Sequence, residues 1–282
     1  MPELEATKLL EELGITKLPI IPRDICLTLD IAYVEDKLKS IDGLLLLNPS
    51  GKSLIGVNSS IKEQGRKNFT GAHELGHLCM DSDYQDSFYC SRDDIESFKD
   101  QIQPVELRAN NFAAALLMPQ FIYQELVKVR EPGWDTVRTL AAMSQTTLTA
   151  TAMRFLDLTD YACALIVSEK RTISWFHKSR EFASYVLTGI IPPGTIAHTV
   201  FRGSVPPDCF EVVKAETWVS GRGVKPHTEI LEWTLPINSY GQVLTLLFDE
   251  EGIAGWEEDE YENNSDGVEW EPPTFHKSKK KR

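Results

Sequence analysis

The chain has 282 residues, 42% apolar and 25% charged, which is long enough for one large domain or two ordinary ones with real cores. A net charge of −13 opposes bulk attraction to nucleic acid, and five cysteines, odd in number and without paired spacing, argue for reduced thiols rather than a disulfide framework. No apolar run is long enough to span a bilayer, and Met1-Pro2-Glu3-Leu4-Glu5 lacks the basic start of a secretory signal, so a cytoplasmic protein with no membrane partner is expected.

Residues 3–13 repeat apolar side chains at helical spacing, with Leu4, Leu9, Leu10 and Leu13 as the expected buried set and Gly14 as the stop. This helix is expected to pack on the one that carries the chemistry. Leu18-Pro19-Ile20-Ile21-Pro22 reads as a stiff extended link, and residues 23–29 as a short helix. Residues 31–34, 43–47 and 53–57 are short, apolar and bounded by Asp, Asn, Pro and Gly, the marks of strands in a small sheet. Asn48-Pro49-Ser50-Gly51 marks a hairpin turn.

Ser60-Ile61-Lys62-Glu63 has the form of a capping box, so a helix starting near Ile61 is expected to run through Phe69-Thr70-Gly71-Ala72-His73-Glu74-Leu75-Gly76-His77-Leu78. His-Glu-x-x-His on such a helix sets His73 and His77 one turn apart on one face, where both imidazoles can ligate a single ion. Glu74 projects from the neighbouring strip, where a carboxylate can take a proton from water beside the metal rather than bind the metal itself. Two histidines four apart also occur on plain surface or core helices. The capping box and the glycines favour the metal, because Gly71 and Gly76 weaken a helix unless another backbone must pass close to it.

Beyond Met80 the helical pattern dissolves, and residues 81–103 read as an irregular excursion of the kind that forms lids beside catalytic helices. Helix resumes at Pro104 and stops before Pro119. On it Glu106, Asn110 and Ala113 share a face, and the flanking alanines permit close approach to the glycine-bearing helix. That approach brings Glu106 toward the two histidines as a third ligand. The plainer role is a solvated first-turn carboxylate favoured by the helix dipole.

Two separated motifs carry a family resemblance: His73-Glu74-Leu75-Gly76-His77 behind Phe69-Thr70, and Glu106 followed by Ala109-Asn110, Phe112-Ala113-Ala114 and Leu116-Leu117-Met118-Pro119. They resemble the ImmA/IrrE metallopeptidases, and Leu18-Pro19-Ile20 is similar to that family's entry segment. The resemblance implies a zinc-dependent, zincin-like domain, with manganese as the alternative metal. It implies His73, His77 and Glu106 as ligands and Glu74 as general base. It further implies a helix-turn-helix transcriptional repressor as substrate, whose cleavage switches on stress, mobile-element or anti-phage genes, and single-stranded DNA as an activator. Cys79 departs from the aliphatic residue usual there, and the loop holding Cys90 is long.

Residues 136–143 and 146–156, with Ser144 as the cap between them, outline a helix-turn-helix. Its second helix offers Arg154 and little else for reading bases, which favours packing or repressor docking. From Tyr161 the character changes. Residues 162–167 and 172–176 form an expected hairpin, 180–187 an expected helix, Pro192-Pro193-Gly194 the opening of another, and 211–219, 229–235 and 242–248 further strands. This separate mixed α/β unit resembles the GAF-like sensor domain of longer ImmA/IrrE members. The expected whole is α+β: a metallopeptidase domain with a small sheet at 1–130, a helix-turn-helix-like segment at 131–158, a GAF-like unit at 159–250, and a disordered tail at 251–282 that is acidic and then basic.

Cys90, between the second and third ligands, could give a thiolate to the open metal position and hold the enzyme latent; a buried inert thiol is the plainer fate. Lys178, Arg180, Arg202, Arg222 and Lys225 are candidate contacts for single-stranded DNA, or a solvated surface. The rivals to the enzyme are a DNA-binding regulator whose metal is structural, and a protease gated by a small molecule.

Overall fold

The structure is a computed structural model that describes residues 1–48, 52–82, 87–91, 104–237 and 241–253. Helix α1 (Pro2–Glu12) buries Ala6, Leu9 and Leu10, with Leu13 packed at the margin of the same core, while Leu4 turns to solvent. At roughly 100° per residue, Leu4 projects nearly opposite that stripe, so its inclusion in the buried set was an error of phase. Gly14, at φ +64°, closes the helix. The partner of α1 is chiefly the later helix bearing Glu106, with fewer contacts to the motif helix.

After α2 (Pro22–Thr28), strands β1 (Ala32–Asp36), β2 (Gly43–Leu46), β3 (Leu54–Asn58) and β4 (Ser87–Cys90) form a sheet in the order β1-β3-β2-β4. β1 runs parallel to β3, and the other pairs are antiparallel. β4 lies within the stretch read as irregular. Phe88 and Cys90 face inward and Tyr89 outward, a two-residue alternation too short to stand out from its polar flanks. The lid expected at 81–103 falls largely on 83–86 and 92–103, outside the described residues, as do positions 49–51 of the hairpin turn.

Helix α3 (Gln64–Met80) carries the motif in its last turns. It starts three residues later than the capping box suggests. The Asn58 side chain accepts from the Ser60 N–H, and the Ile61 N–H donates to the Asn58 carbonyl, so 58–61 is a turn that seats Ile61 in the core. α4 (Pro104–Leu117) lies along α3 at very short range: a Cβ on Gly76 would stand 3.2 Å from the Ala109 Cα. Gly71 instead makes room for Tyr33 of β1, whose hydroxyl would be 2.8 Å from an added Cβ.

α5 (Gln120–Lys128) leads to α6 (Trp134–Ser144) and α7 (Leu148–Leu158). The cap of α7 is Thr147, whose hydroxyl accepts from Ala150 N–H, and not Ser144. Ser144 ends α6 and joins a buried hydroxyl chain with Tyr123, Thr146 and Thr151.

The remainder is an antiparallel sheet of β5 (Cys163–Glu169), β6 (Thr172–Lys178), β8 (Glu211–Lys214), β10 (Glu229–Ile237) and β11 (Gln242–Phe248), ordered β6-β5-β11-β10-β8. A two-residue pair, β7 (Tyr185–Val186) with β9 (Val219–Ser220), lies beside it. The helix expected at 180–187 is absent because Phe182, Ser184 and Val186 are buried while Glu181, Ala183 and Tyr185 are exposed, the period of extended chain. α8 (Ile196–Val200) follows Pro192-Pro193-Gly194 as expected, capped by Thr195.

One face of this sheet is continuous with the first half of the chain. Leu165, Val167, Trp233, Leu244 and Leu246 belong to the same core as Leu75, Phe112, Trp134 and Phe155. The Trp134 indole N–H donates to the Trp233 carbonyl at 2.8 Å, across the junction. The other face holds a second core around Ile166, Phe182, Trp218 and Leu247. Among the described residues no helix is long and apolar enough to cross a membrane. The tail expectation falls on 254–282, outside the described residues; Ile253 before it is buried.

Candidate metal centre

The donor atoms of His73, His77, Cys90 and Glu106 lie within 4.8 Å of one another. The spacing of α3 sets the two rings edge to face, with centroids 4.6 Å apart and their Nε2 atoms 3.0 Å apart. The close packing of α4 brings a Glu106 oxygen to 3.1 Å from His73 Nε2 and 3.4 Å from His77 Nε2. β4 supplies the Cys90 Sγ, 3.0 Å from His73 Nε2 and 3.6 Å from His77 Nε2. The four come from three segments separated in sequence, yet all meet in the core: both rings and the thiol are buried, and Glu106 is nearly so.

The far side of each ring decides what the near side is. His77 Nδ1 stands 3.1 Å from the buried Asp81 carboxylate, which Arg108 also holds. An ionised carboxylate only accepts, so Nδ1 carries the proton and Nε2 presents a lone pair. His73 Nδ1 stands 2.9 Å from Asn110 Oδ1, an amide assignment consistent with the same tautomer. Two imidazole lone pairs and a carboxylate oxygen then converge with no proton of their own to share. Such a set is repulsive unless a cation, or protons drawn from solution, sits among them. Burial alone would raise the Glu106 carboxyl, but when the two rings take up such protons their hydrogen bonds and charge outweigh burial and hold the group at about 2.

Glu74 is arranged differently. It is completely buried beneath β2, so close that a Cβ on Gly43 would lie 2.3 Å from its Oε1. Neither oxygen meets hydrogen-bond geometry with any described group. Burial pushes the carboxyl up to about 7, with the His73 ring and the Cys90 thiol pulling it only partway back. A buried polar group without a partner is rare enough to call for an explanation, and an exchangeable water or substrate atom is one.

Sequence reasoning passed over Asp81 and gave Asn110 no role beyond its helix face. Asp81 follows His77 by four residues on the same helix line, and Asn110 follows Glu106 by four, so helical spacing alone could have marked both. Phe88, which stacks on the His77 ring at 4.4 Å, had no such signal, because it arrives by strand pairing. The second-helix Arg154 is spent internally, donating to the Met118 carbonyl and pairing with Glu3. Of the candidate DNA contacts, Lys178 is drawn inward to the Ser184 carbonyl and the Tyr185 ring, while Arg180, Arg202, Arg222 and Lys225 are exposed.

Residues 26–156 match the family model of the IrrE N-terminal-like domain, peptidase M78. That domain contains all four donors as well as Glu74, Asp81 and Asn110. No curated protein matches the chain. Among solved structures, one described as a Mycobacterium tuberculosis transcriptional regulator shares the fold, with a TM-score of 0.54 at 15% identity over 88% of this chain and 76% of that one. The overlap extends well beyond the matched domain, so much of the C-terminal architecture recurs there too.

Proposed function

We propose that the chain is a metal-dependent endopeptidase acting in the cytoplasm on a helix-turn-helix repressor. The observation that carries this is the pairing of a converging donor set with Glu74, a buried carboxylate that no described group satisfies. A structural metal site has no use for such a neighbour. The donors suit zinc: two imidazoles and a carboxylate are common zinc ligands, and a thiol nearby weighs against manganese, which prefers oxygen.

His73, His77 and Glu106 would hold a zinc ion there, which would supply Lewis acidity and lower the pKa of adjacent water from about 15.7 toward about 7. Glu74, raised to about 7, is matched to taking a proton from that water at neutral pH and returning it to the leaving amine. Asn110 and Asp81 fix the tautomers and orientations of the rings. Arg108 pairs with Asp81 and fixes the position of that carboxylate.

The repressor as substrate rests on the family resemblance of residues 26–156. Activation by single-stranded DNA rests on the same resemblance and on the exposed Arg180, Arg202, Arg222 and Lys225. A small-molecule trigger has its own support in a cleft of about 360 Å³ between the first turn of α3, the start of α7 and the sheet, lined by Phe69, Leu148, Trp175 and Leu244. The regulator reading is disfavoured, since Arg154, its best candidate for reading bases, is spent on packing.

The test is incubation of the metal-loaded protein with the repressor encoded beside it, with and without short single-stranded DNA. Defined fragments are expected from the parent. Glu74→Gln should cut slower by about 10² to 10⁴-fold while still binding metal. Cleavage by that variant at the parental rate would overturn the assignment.

A further inference from the structure

The six distances among the four donors describe a tetrahedron whose three edges at His73 are the short ones. His73 Nε2 stands 3.0 Å from His77 Nε2, 3.0 Å from Cys90 Sγ and 3.1 Å from Glu106 Oε2. His77 Nε2 stands 3.6 Å from Cys90 Sγ and 3.4 Å from Glu106 Oε2, and the last edge, sulfur to oxygen, is 3.8 Å. Donors around one tetrahedral ion, at about 2.0–2.1 Å for nitrogen and oxygen and about 2.3 Å for sulfur, stand roughly 3.3–3.8 Å apart. Two imidazoles and a carboxylate alone would leave one corner for water. Here sulfur fills that corner.

We propose that Cys90 is the fourth ligand of the metal, so that this conformation is a closed centre, and that withdrawal of β4 is what admits water. Three further observations bear on it. First, β4 brings two side chains into the site, Phe88 stacked on the His77 ring at 4.4 Å and Cys90 with its Sγ 3.0 Å from His73 Nε2, so one strand covers both imidazoles. Second, Cys90 is directly opposite Gly43 in the β2–β4 ladder, and Gly43 is the residue pressed onto Glu74, so one rung of the sheet covers both base and metal position. Third, β4 is the edge strand, held in its sheet by β2 alone, so its release costs one short ladder and the Phe88 stack on His77, while the contact between α3 and α4 does not run through it. On binding, the thiol gives its proton to solvent and the thiolate ligates. The ligand assignment stands on the cluster geometry; calling the closed state latent rests on the peptidase reading above.

Cobalt(II) loaded into the full chain tests this without any substrate. The parent should show a thiolate-to-cobalt charge-transfer band with tetrahedral visible absorption, and added acetohydroxamate should leave the spectrum unchanged. Cys90→Ala and Cys90→Ser should bind one cobalt per chain, lose the charge-transfer band, and respond to acetohydroxamate. Their metal affinity should fall by about tenfold or more. A parent that binds one cobalt without the band, or whose spectrum shifts when acetohydroxamate is added, overturns the proposal even if neither variant folds. If instead a His73→Ala, His77→Ala variant holds cobalt as the parent does, the peptidase centre itself is misplaced, a separate failure.

Discussion

Glu74 and Glu232 are both 0% exposed, yet their surroundings treat them in opposite ways. Glu232, on β10, accepts from Ala197 N–H and the Thr234 hydroxyl at one oxygen, and from Ile196 N–H and the Trp218 indole at the other, all at 2.7–3.0 Å. Burial raises its carboxyl and those four bonds offset much of that. It is a clamp that fastens α8 and the following turn to the sheet. Glu74 is as deeply buried and receives no bond of ordinary geometry from any described residue. A fold that can satisfy one buried carboxylate fourfold and leaves another bare is holding the second for something that comes and goes.

That contrast can be broken at either end. Glu232→Ala would orphan the Ile196, Ala197 and Trp218 N–H donors at once, leaving Thr234 its bond to Thr245, and should lower unfolding stability by about 3 kcal/mol or more, since each unsatisfied buried donor costs about 1–3 kcal/mol. Glu74→Gln should stay within about 1 kcal/mol of the parent, because no bond is lost. Chemical denaturation of the two variants in parallel checks the pair. A large loss for Glu74→Gln would mean that the carboxylate is structural after all.

A smaller effect sharpens the same contrast around the rings. Asp81→Asn removes the acceptor that fixes the His77 tautomer, and it should weaken zinc binding by about 10- to 100-fold in competition with a chelator. Unaltered affinity would mean that the ring does not depend on Asp81 for its orientation.

What was legible in the sequence follows how local each signal is. His73, Glu74 and His77 are one turn of one helix, so their spacing carried their geometry. Glu106 was reachable because Gly76 and the alanines of α4 announced a close helix pair, and the 3.2 Å approach of Gly76 to Ala109 is that pair. Cys90 was legible as a candidate ligand by its chemistry and its place between the second and third ligands, but not by any local pattern. Its place depends on pairing with β2, a contact between residues far apart in sequence and too short to show as a pattern. The C-terminal sheet was read as a separate unit, whereas Cys163 through Ser168 are buried without interruption. A strand apolar along both faces is the mark of a sheet covered on both sides, and the helices of the first half are what cover it.

The central claim is that His73 and His77 turn bare nitrogen lone pairs toward a cation. Metal content, measured after exhaustive removal of loosely held ions and reconstitution with zinc, tests it most directly. One zinc per chain in the parent, and almost none in the His73→Ala, His77→Ala variant, is the predicted result. Equal zinc in the two, or none in either, would contradict it.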